Sequence, residues 1–376
     1  MVAGEASGDR LGGALMAGLR ALATPEFAGI GGPMMQAQGL HSLFPMEDLS
    51  VMGLAEVLPR YLHLRRRLRE TVAAALEAAP DVLITIDSPD FCLRVARQVR
   101  RRNPAIRIVH YVAPSVWAWR AGRAARMARH VDQVLALLPF EPPYMEAAGM
   151  DCDFVGHPVV AEPHPDEAAL AAFRARHGIG DAPLMLVLPG SRRGEVARLA
   201  PIFGAALAPV LAARPETRLV LPTTAAMAPL VRAALADWPA QPLILSPEDP
   251  GHAAEKACAF HAADLALAAS GTVSLELAHA RTPMVIAYDM APLSRMILSR
   301  LIRVDTLTLV NLVSGTRVVP EFIGHACRAE AIAPALLRLM EAPEAQRAAM
   351  EATMQRLGEG GEAPGLRAAR AVLARL

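Results

Sequence analysis

Short apolar runs that stop abruptly at polar or glycine-rich residues recur along the 376-residue chain, and helix-length amphipathic stretches separate them. In the first half the runs are Val82–Ile86, 106–111 and 134–138; the second half repeats the pattern at Leu184–Leu188, 219–221, Leu243–Leu245, 265–268 and 284–287. A run that is apolar throughout reads as a strand covered on both faces, and strands alternating with helices read as βαβ units of a parallel sheet. The length is enough for two cores. The pattern therefore predicts an α/β protein of two Rossmann-like domains with a cleft between them. The boundary is expected in the polar, proline-bearing piece from Gly156-His157-Pro158 to Pro165, giving domains 1–160 and 161–376. From Arg328 onward the chain is rich in Ala, Leu, Arg and Glu and reads as terminal helices, which cross back to the first domain or dock on a partner.

In a doubly wound sheet the ligand sits beyond the carboxyl ends of the strands, so the residues after each run are the candidates for chemistry. Leu184–Leu188 is followed by Pro189-Gly190-Ser191-Arg192-Arg193-Gly194-Glu195. Glycines let backbone amides approach an anion, a helix N-terminus adds positive potential, and Arg192 or Arg193 can neutralise phosphate charge. The run 265–268 leads into Ala269-Ser270-Gly271-Thr272, then Glu276; Ser270 or Thr272 is expected to cap the next helix, and Glu276 suits two ribose hydroxyls. Each turn has a plainer reading as a capped strand-to-helix connection, and neither is a Walker A or GxGxxG element. Val82–Ile86 delivers Asp87-Ser88-Pro89-Asp90, where Asp87 is either a general base for a hydroxyl acceptor or a turn aspartate bonding its own backbone. The first-half loops Gly4-Glu5-Ala6-Ser7-Gly8-Asp9 and Gly29-Ile30-Gly31-Gly32-Pro33 are less specific. Asp151-Cys152-Asp153 has the spacing of a metal-assisted sugar transferase but precedes an apolar strand instead of ending one, and is read as a polar turn without metal.

Composition removes several classes. Lys and Arg (38) nearly balance Asp and Glu (37), and aromatics are only 4%, so no nucleic-acid partner is expected. The four cysteines are far apart and the eleven histidines form no His-x-x-x-His or HExxH pattern; a reduced cytoplasmic chain without a metal or other cofactor is expected. The apolar stretch 199–213 is short for a bilayer and carries Pro201 and Pro209, so no membrane span is predicted. No secretory signal is read at the start, where Met1-Val2-Ala3 enters a glycine turn as though a first strand were shortened. Residues 49–69 combine apolar positions with Arg65, Arg66, Arg67 and Arg69, suiting either an anionic membrane surface or a core helix with a solvated end.

Several segments together resemble the lipid-A-disaccharide synthase family, bacterial glycosyltransferases of the two-Rossmann-domain B type (GT-B). They are Ala3-Gly4-Glu5-Ala6-Ser7-Gly8-Asp9, Gly31-Gly32-Pro33-Met34-Met35, Val51-Met52-Gly53-Leu54, Ile86-Asp87-Ser88-Pro89-Asp90-Phe91 and His110-Tyr111-Val112-Ala113-Pro114-Ser115-Val116-Trp117-Ala118-Trp119-Arg120. Leu138-Pro139-Phe140-Glu141, Gly156-His157-Pro158, Leu188-Pro189-Gly190-Ser191-Arg192 and Ala269-Ser270-Gly271-Thr272 continue the match. The resemblance implies metal-independent transfer of 2,3-diacylglucosamine from UDP to the 6-hydroxyl of 2,3-diacylglucosamine 1-phosphate, at the cytoplasmic face of the inner membrane. Asp87, Arg192 and Asn311 are then catalytic candidates, and Gly4, Glu5, Ser7, Asp9, Gly190, Ser191, Ser270, Gly271, Thr272 and Glu276 are candidates for substrate and UDP binding. A homodimer is left open. The rivals are another UDP-sugar enzyme of this fold, such as a UDP-N-acetylglucosamine 2-epimerase, and a non-catalytic UDP-sugar-binding regulator.

Overall fold

The computed structural model describes residues 1–49, 54–118, 122–249, 251–291, 295 and 304–376, and for residues 54–59 the backbone alone. They form two compact units: Met1–Ala161 with Leu357–Leu376, and Glu162–Arg356.

The first unit has seven strands, β1 (Val2–Ala3), β2 (Ala28–Gly29), β3 (His41–Ser42), β4 (Val82–Ile86), β5 (Arg107–Tyr111), β6 (Gln133–Ala136) and β7 (Asp151–Phe154). Five make a parallel sheet in the order β1-β4-β5-β6-β7, and β2 pairs with β3. Leu83, Ile84, Ile86, Ile108 and Val109 are buried, as strands covered on both faces must be. The last helix, Pro364–Leu373, belongs to this unit and puts Ala368, Ala369 and Val372 into its core.

The second unit has β8 (Leu184–Leu188), β9 (Arg218–Pro222), β10 (Leu243–Leu245), β11 (Leu265–Ala269), β12 (Met284–Tyr288) and β13 (Glu321–Ile323), all parallel in the order β10-β9-β8-β11-β12-β13. All five residues of β8 are buried.

Two expectations change. Asp151-Cys152-Asp153 lies within β7 and does not form a turn. Its carboxylates are engaged: Arg375 reaches Asp151 (3.1 Å) and Asp153 (3.0 Å), and Gln133 Nε2 donates to Asp153 (2.7 Å). The helix over the apolar stretch 199–213 is longer than that stretch, running Arg193–Ala213, and its length and hydropathy suffice for a bilayer. Val196, Leu199, Phe203, Ala206, Leu207 and Val210 are all fully buried in the second core, which makes it a covering helix of the sheet.

Candidate active site

In the first unit the candidates gather at the carboxyl ends of β1 and β4. Asp87 and Ser88, directly after β4, have φ of +51° and +39°, a left-handed conformation that turns the chain sharply out of the strand. The Asp87 amide still donates to Tyr111 O (2.9 Å), so the backbone stays tied to β5 while the half-buried side chain projects past the sheet edge. Ser7 Oγ, in the first turn of helix Ala6–Leu22, donates to Asp87 Oδ2 (3.0 Å). Ser88 Oγ donates to Glu5 Oε1 (3.3 Å), and Gly4 links β1 to this corner. Gly4, Glu5, Ser7 and Asp87 are thus brought together by the strand pairing that sets Ala3 opposite Ile86.

Asp9 is not part of that exposed corner. It is buried, and its carboxylate accepts the amides of Gly32 (2.8 Å), Met34 (2.9 Å) and Met35 (3.0 Å), holding the Gly31–Gly32 turn and the start of helix Pro33–Ala37. Both carboxylate oxygens are engaged by backbone amides.

Glu141, which sequence reasoning passed over inside Leu138-Pro139-Phe140-Glu141, lies just beyond β6. It is 4% exposed; its carboxylate accepts the Leu138 amide (3.0 Å) and Trp117 Nε1 (3.4 Å). Burial pushes its pKa up to about 7, against the pull of those hydrogen bonds. Its signal in the sequence was a single acid between a strand and a proline pair. Trp119, Arg120 and Val51-Met52-Gly53 lie outside the described residues.

In the second unit the turn after β8 is built differently from expectation. Gly190 has φ +108°, and a Cβ there would stand 2.6 Å from Glu195 Oε2, so a side chain fits neither the backbone nor the space. Glu195, buried at the start of helix Arg193–Ala213, accepts the amides of Ser191 (3.2 Å) and Arg192 (3.3 Å). Two amides expected to face an anion are therefore turned onto the chain's own carboxylate. What faces outward is the Arg192 side chain, 63% exposed and paired with Glu195 Oε1 at 3.0 Å.

After β11, helix Val273–His279 starts at Thr272 without a side-chain cap from Ser270 or Thr272; Ser274 Oγ donates to Gly271 O (2.9 Å) instead. Gly271 and Thr272 remain exposed at the helix start, while the amides of Ser274 and Leu275 donate back to Gly271 O (3.3 Å) and Thr272 O (2.9 Å). Glu276 is half-exposed and meets Lys256, the only lysine in the sequence, at 2.6 Å. Asn311 departs most from expectation. It is 1% exposed; Nδ2 donates to Thr306 Oγ1 (3.2 Å), Val319 O (3.0 Å) and Glu321 Oε1 (3.0 Å), and Oδ1 accepts the Val319 amide (3.0 Å). The amide is saturated within its own unit, so it fixes the 306–321 loop and has no donor left for a diphosphate.

A family model described as lipid-A-disaccharide synthetase matches residues 1–373. The chain belongs to the lipid-A-disaccharide synthase family. The lipid-A-disaccharide synthase of Ruegeria pomeroyi is 61% identical over 380 residues, spanning 100% of this chain and 94% of that protein. The lipid-A-disaccharide synthase of Rhodospirillum centenum is 48% identical over 379 residues, spanning 99% and 93%. Among solved structures, a UDP-GlcNAc 2-epimerase from Neisseria meningitidis bound to UDP-GlcNAc superposes with a TM-score of 0.60 at 11% identity, covering 98% of this chain and 96% of that one. A glycosyltransferase from Rickettsia africae gives 0.57 at 11% identity, with 99% and 96% covered. At such identities the likeness is one of fold, the two-domain architecture shared by GT-B transferases and epimerases. Membership of the lipid-A-disaccharide synthase family makes the chain a glycosyltransferase and leaves the epimerase reading with the fold alone.

Proposed function

We propose that this chain condenses UDP-2,3-diacylglucosamine with 2,3-diacylglucosamine 1-phosphate, giving the β-1,6-linked disaccharide 1-phosphate and UDP. The observation that carries the reading is Asp87. A carboxylate on a left-handed turn beyond β4, oriented by Ser7 Oγ at 3.0 Å, is a base set at a strand end in a chain that matches this family throughout. In the proposed step the acceptor 6-oxygen forms a bond to C1 of the donor as the C1–O bond to UDP breaks with inversion. The hydroxyl proton goes to Asp87, and UDP leaves with the bonding electrons. Arg192, exposed at the β8 turn, supports the charge growing on the diphosphate, and the helix start at Gly271-Thr272 with Glu276 receives the rest of the nucleotide. Glu5 and Gly4 hold the acceptor corner, while Asp9 and Asn311 act by fixing loops.

Each substrate carries two long acyl chains, and exposing them to water costs ~0.8 kcal/mol per CH₂, so the protein is proposed to work as a peripheral protein on the cytoplasmic face of the inner membrane. Helix Leu54–Ala78 supports this. Leu62, 77% exposed, shares one helical face with exposed Arg65, Arg66 and Arg69, and Tyr61 beside it is 50% exposed. The opposite face, with Leu64, Leu68 and Val72, packs on the core.

The test is incubation of the purified chain with both lipids in mixed micelles containing a chelator, with products read by mass spectrometry. A disaccharide 1-phosphate is expected. Asp87→Asn should abolish it with UDP affinity intact, and Arg192→Ala should lower turnover more than UDP affinity. Turnover retained in Asp87→Asn removes the base; absence of disaccharide from the parent chain removes the substrate assignment.

A further inference from the structure

Far apart in sequence and absent from any metal-binding spacing, His164, His261 and His279 converge in the second unit. One nitrogen from each ring lies within 4.8 Å of the other two. His164 precedes helix Glu167–Arg176, His261 is the penultimate residue of helix His252–Ala262, and His279 ends helix Val273–His279. The rings of His164 and His279 are stacked at 4.1 Å, and that of His261 stands edge-on to both.

Three features separate this cluster from a chance meeting of aromatic rings. First, the proton on His261 is placed. Its Nδ1 lies 2.9 Å from Ala257 O, a carbonyl that only accepts, so Nδ1 donates and Nε2 is left with the lone pair. That is how metal-ligating histidines are held, with the far nitrogen donating to a backbone carbonyl. Second, that Nε2 accepts a hydrogen bond from His164 Nδ1 at 3.0 Å, a proton that a metal ion would displace. Two nitrogens on corners of a tetrahedron around zinc, each at ~2.0–2.1 Å, stand roughly 3.3 Å apart, so this pair already has a chelating separation. Third, His261 and His279 lie at the carboxyl ends of their helices, where the peptide dipoles favour a cation.

The geometry points to a divalent transition-metal site, zinc by ligand type, formed by His164, His261 and His279 with a fourth position open to solvent beside the exposed His164. The site lies at the opposite end of helix Val273–His279 from Thr272, so it takes no part in the transfer reaction. Its effect is on the fold. The two helices it joins are the ones that carry Lys256 and Glu276, so the ion staples the pair that sets Glu276.

The experiment uses the full chain stripped with chelator, titrated with ZnCl₂ against a chromophoric competitor, with MgCl₂ as control. One zinc per chain is expected at micromolar affinity or tighter. His164→Ala and His261→Ala should each weaken it by at least about tenfold, a loss as large as second-shell changes alone produce. His325→Ala, an exposed histidine outside the cluster, should bind as the parent does. His164 is exposed, so its variant keeps the fold, which circular dichroism checks. Zinc should also raise the melting temperature of the parent but not of His164→Ala, and cobalt(II) should show the visible bands of a tetrahedral ion. Absence of stoichiometric zinc binding, or equal affinity in the parent and both cluster variants, overturns the site.

Discussion

A carboxylate's neighbours decide its use, and this chain shows both outcomes within one motif. Gly4-Glu5-Ala6-Ser7-Gly8-Asp9 reads as one loop, yet Ser7 turns to Asp87 at the sheet edge while Asp9 turns inward to three amides. Asp9→Ala leaves those amides without an acceptor in a buried place, and each unsatisfied donor costs about 1–3 kcal/mol. A loss of about 3 kcal/mol is expected from urea unfolding, and a loss under about 1 kcal/mol would return Asp9 to the substrate-binding residues. Asp87 and Ser88 reverse the usual economy: non-glycine residues at positive φ cost of order 1–3 kcal/mol, tolerated where the position of the side chain matters more than stability. Aspartate at the end of an apolar run was legible as a candidate base. The division of labour between Asp9, Asn311 and the exposed residues was not, because it depends on which amides the folded chain leaves nearby.

Between elements, the last helix makes a close backbone approach. A Cβ on Gly365 would lie 2.5 Å from Ala14 O, and one on Gly18 would lie 2.6 Å from Gly365 O, so helices Ala6–Leu22 and Pro364–Leu373 touch backbone to backbone. Gln133 Nε2 donating to Ala371 O (2.9 Å) and Arg367 donating to Phe154 O (3.0 Å) complete the anchor. Gly365→Val forces these backbones apart. Hydrogen exchange is expected to rise throughout residues 364–373 with the second unit unchanged; protection equal to the parent's would show that the contact yields without undocking. Of the terminal helices expected from Arg328 onward, Pro364–Leu373 lies in the first unit, while Ala329–Glu341 and all but the last residue of Glu344–Leu357 belong to the second.

At the scale of the whole molecule the charge nearly cancels, so pH acts through a few buried groups. His110, 1% exposed and bonded through Nδ1 to Thr85 Oγ1 at 2.9 Å, is pushed down to about 3, chiefly by burial and further by Arg123 and His130. Its folded pKa lies below the unfolded value of about 6.5, so its contribution is complete above pH 6.5 and is lost as pH falls towards 3. Glu141, raised to about 7, works the other way: its contribution is complete below about 4.5 and is lost as pH rises through 7. Between pH 7 and pH 4 the two therefore oppose each other, and the test is a difference: chemical denaturation should show the parent losing roughly 3 kcal/mol more than His110→Asn over that range. An equal change in parent and variant would show that His110 does not carry the acid loss assigned to it.

Apolar periodicity located eight of the thirteen described strands and their parallel arrangement, because a strand covered on both faces has no choice but to be apolar throughout; it passed over Asp151–Phe154 and Glu321–Ile323, which are polar in part. It also placed Asp87 and the turn carrying Arg192 just beyond strand ends, since a parallel sheet presents one edge and the chain must leave each strand there, with Glu276 in the helix that follows β11. Tertiary structure decided what periodicity cannot encode, which is where each polar group finds its partner. Glu195 takes the amides of the β8 turn, Asn311 is closed into its own loop, and the paired aspartates of β7 meet Arg375 and Gln133. Three histidines with no common spacing meet at two helix ends. Hydrogen bonds and ligand sites are set by distances of about 3 Å, and only the packed chain fixes distances that short between residues a hundred positions apart.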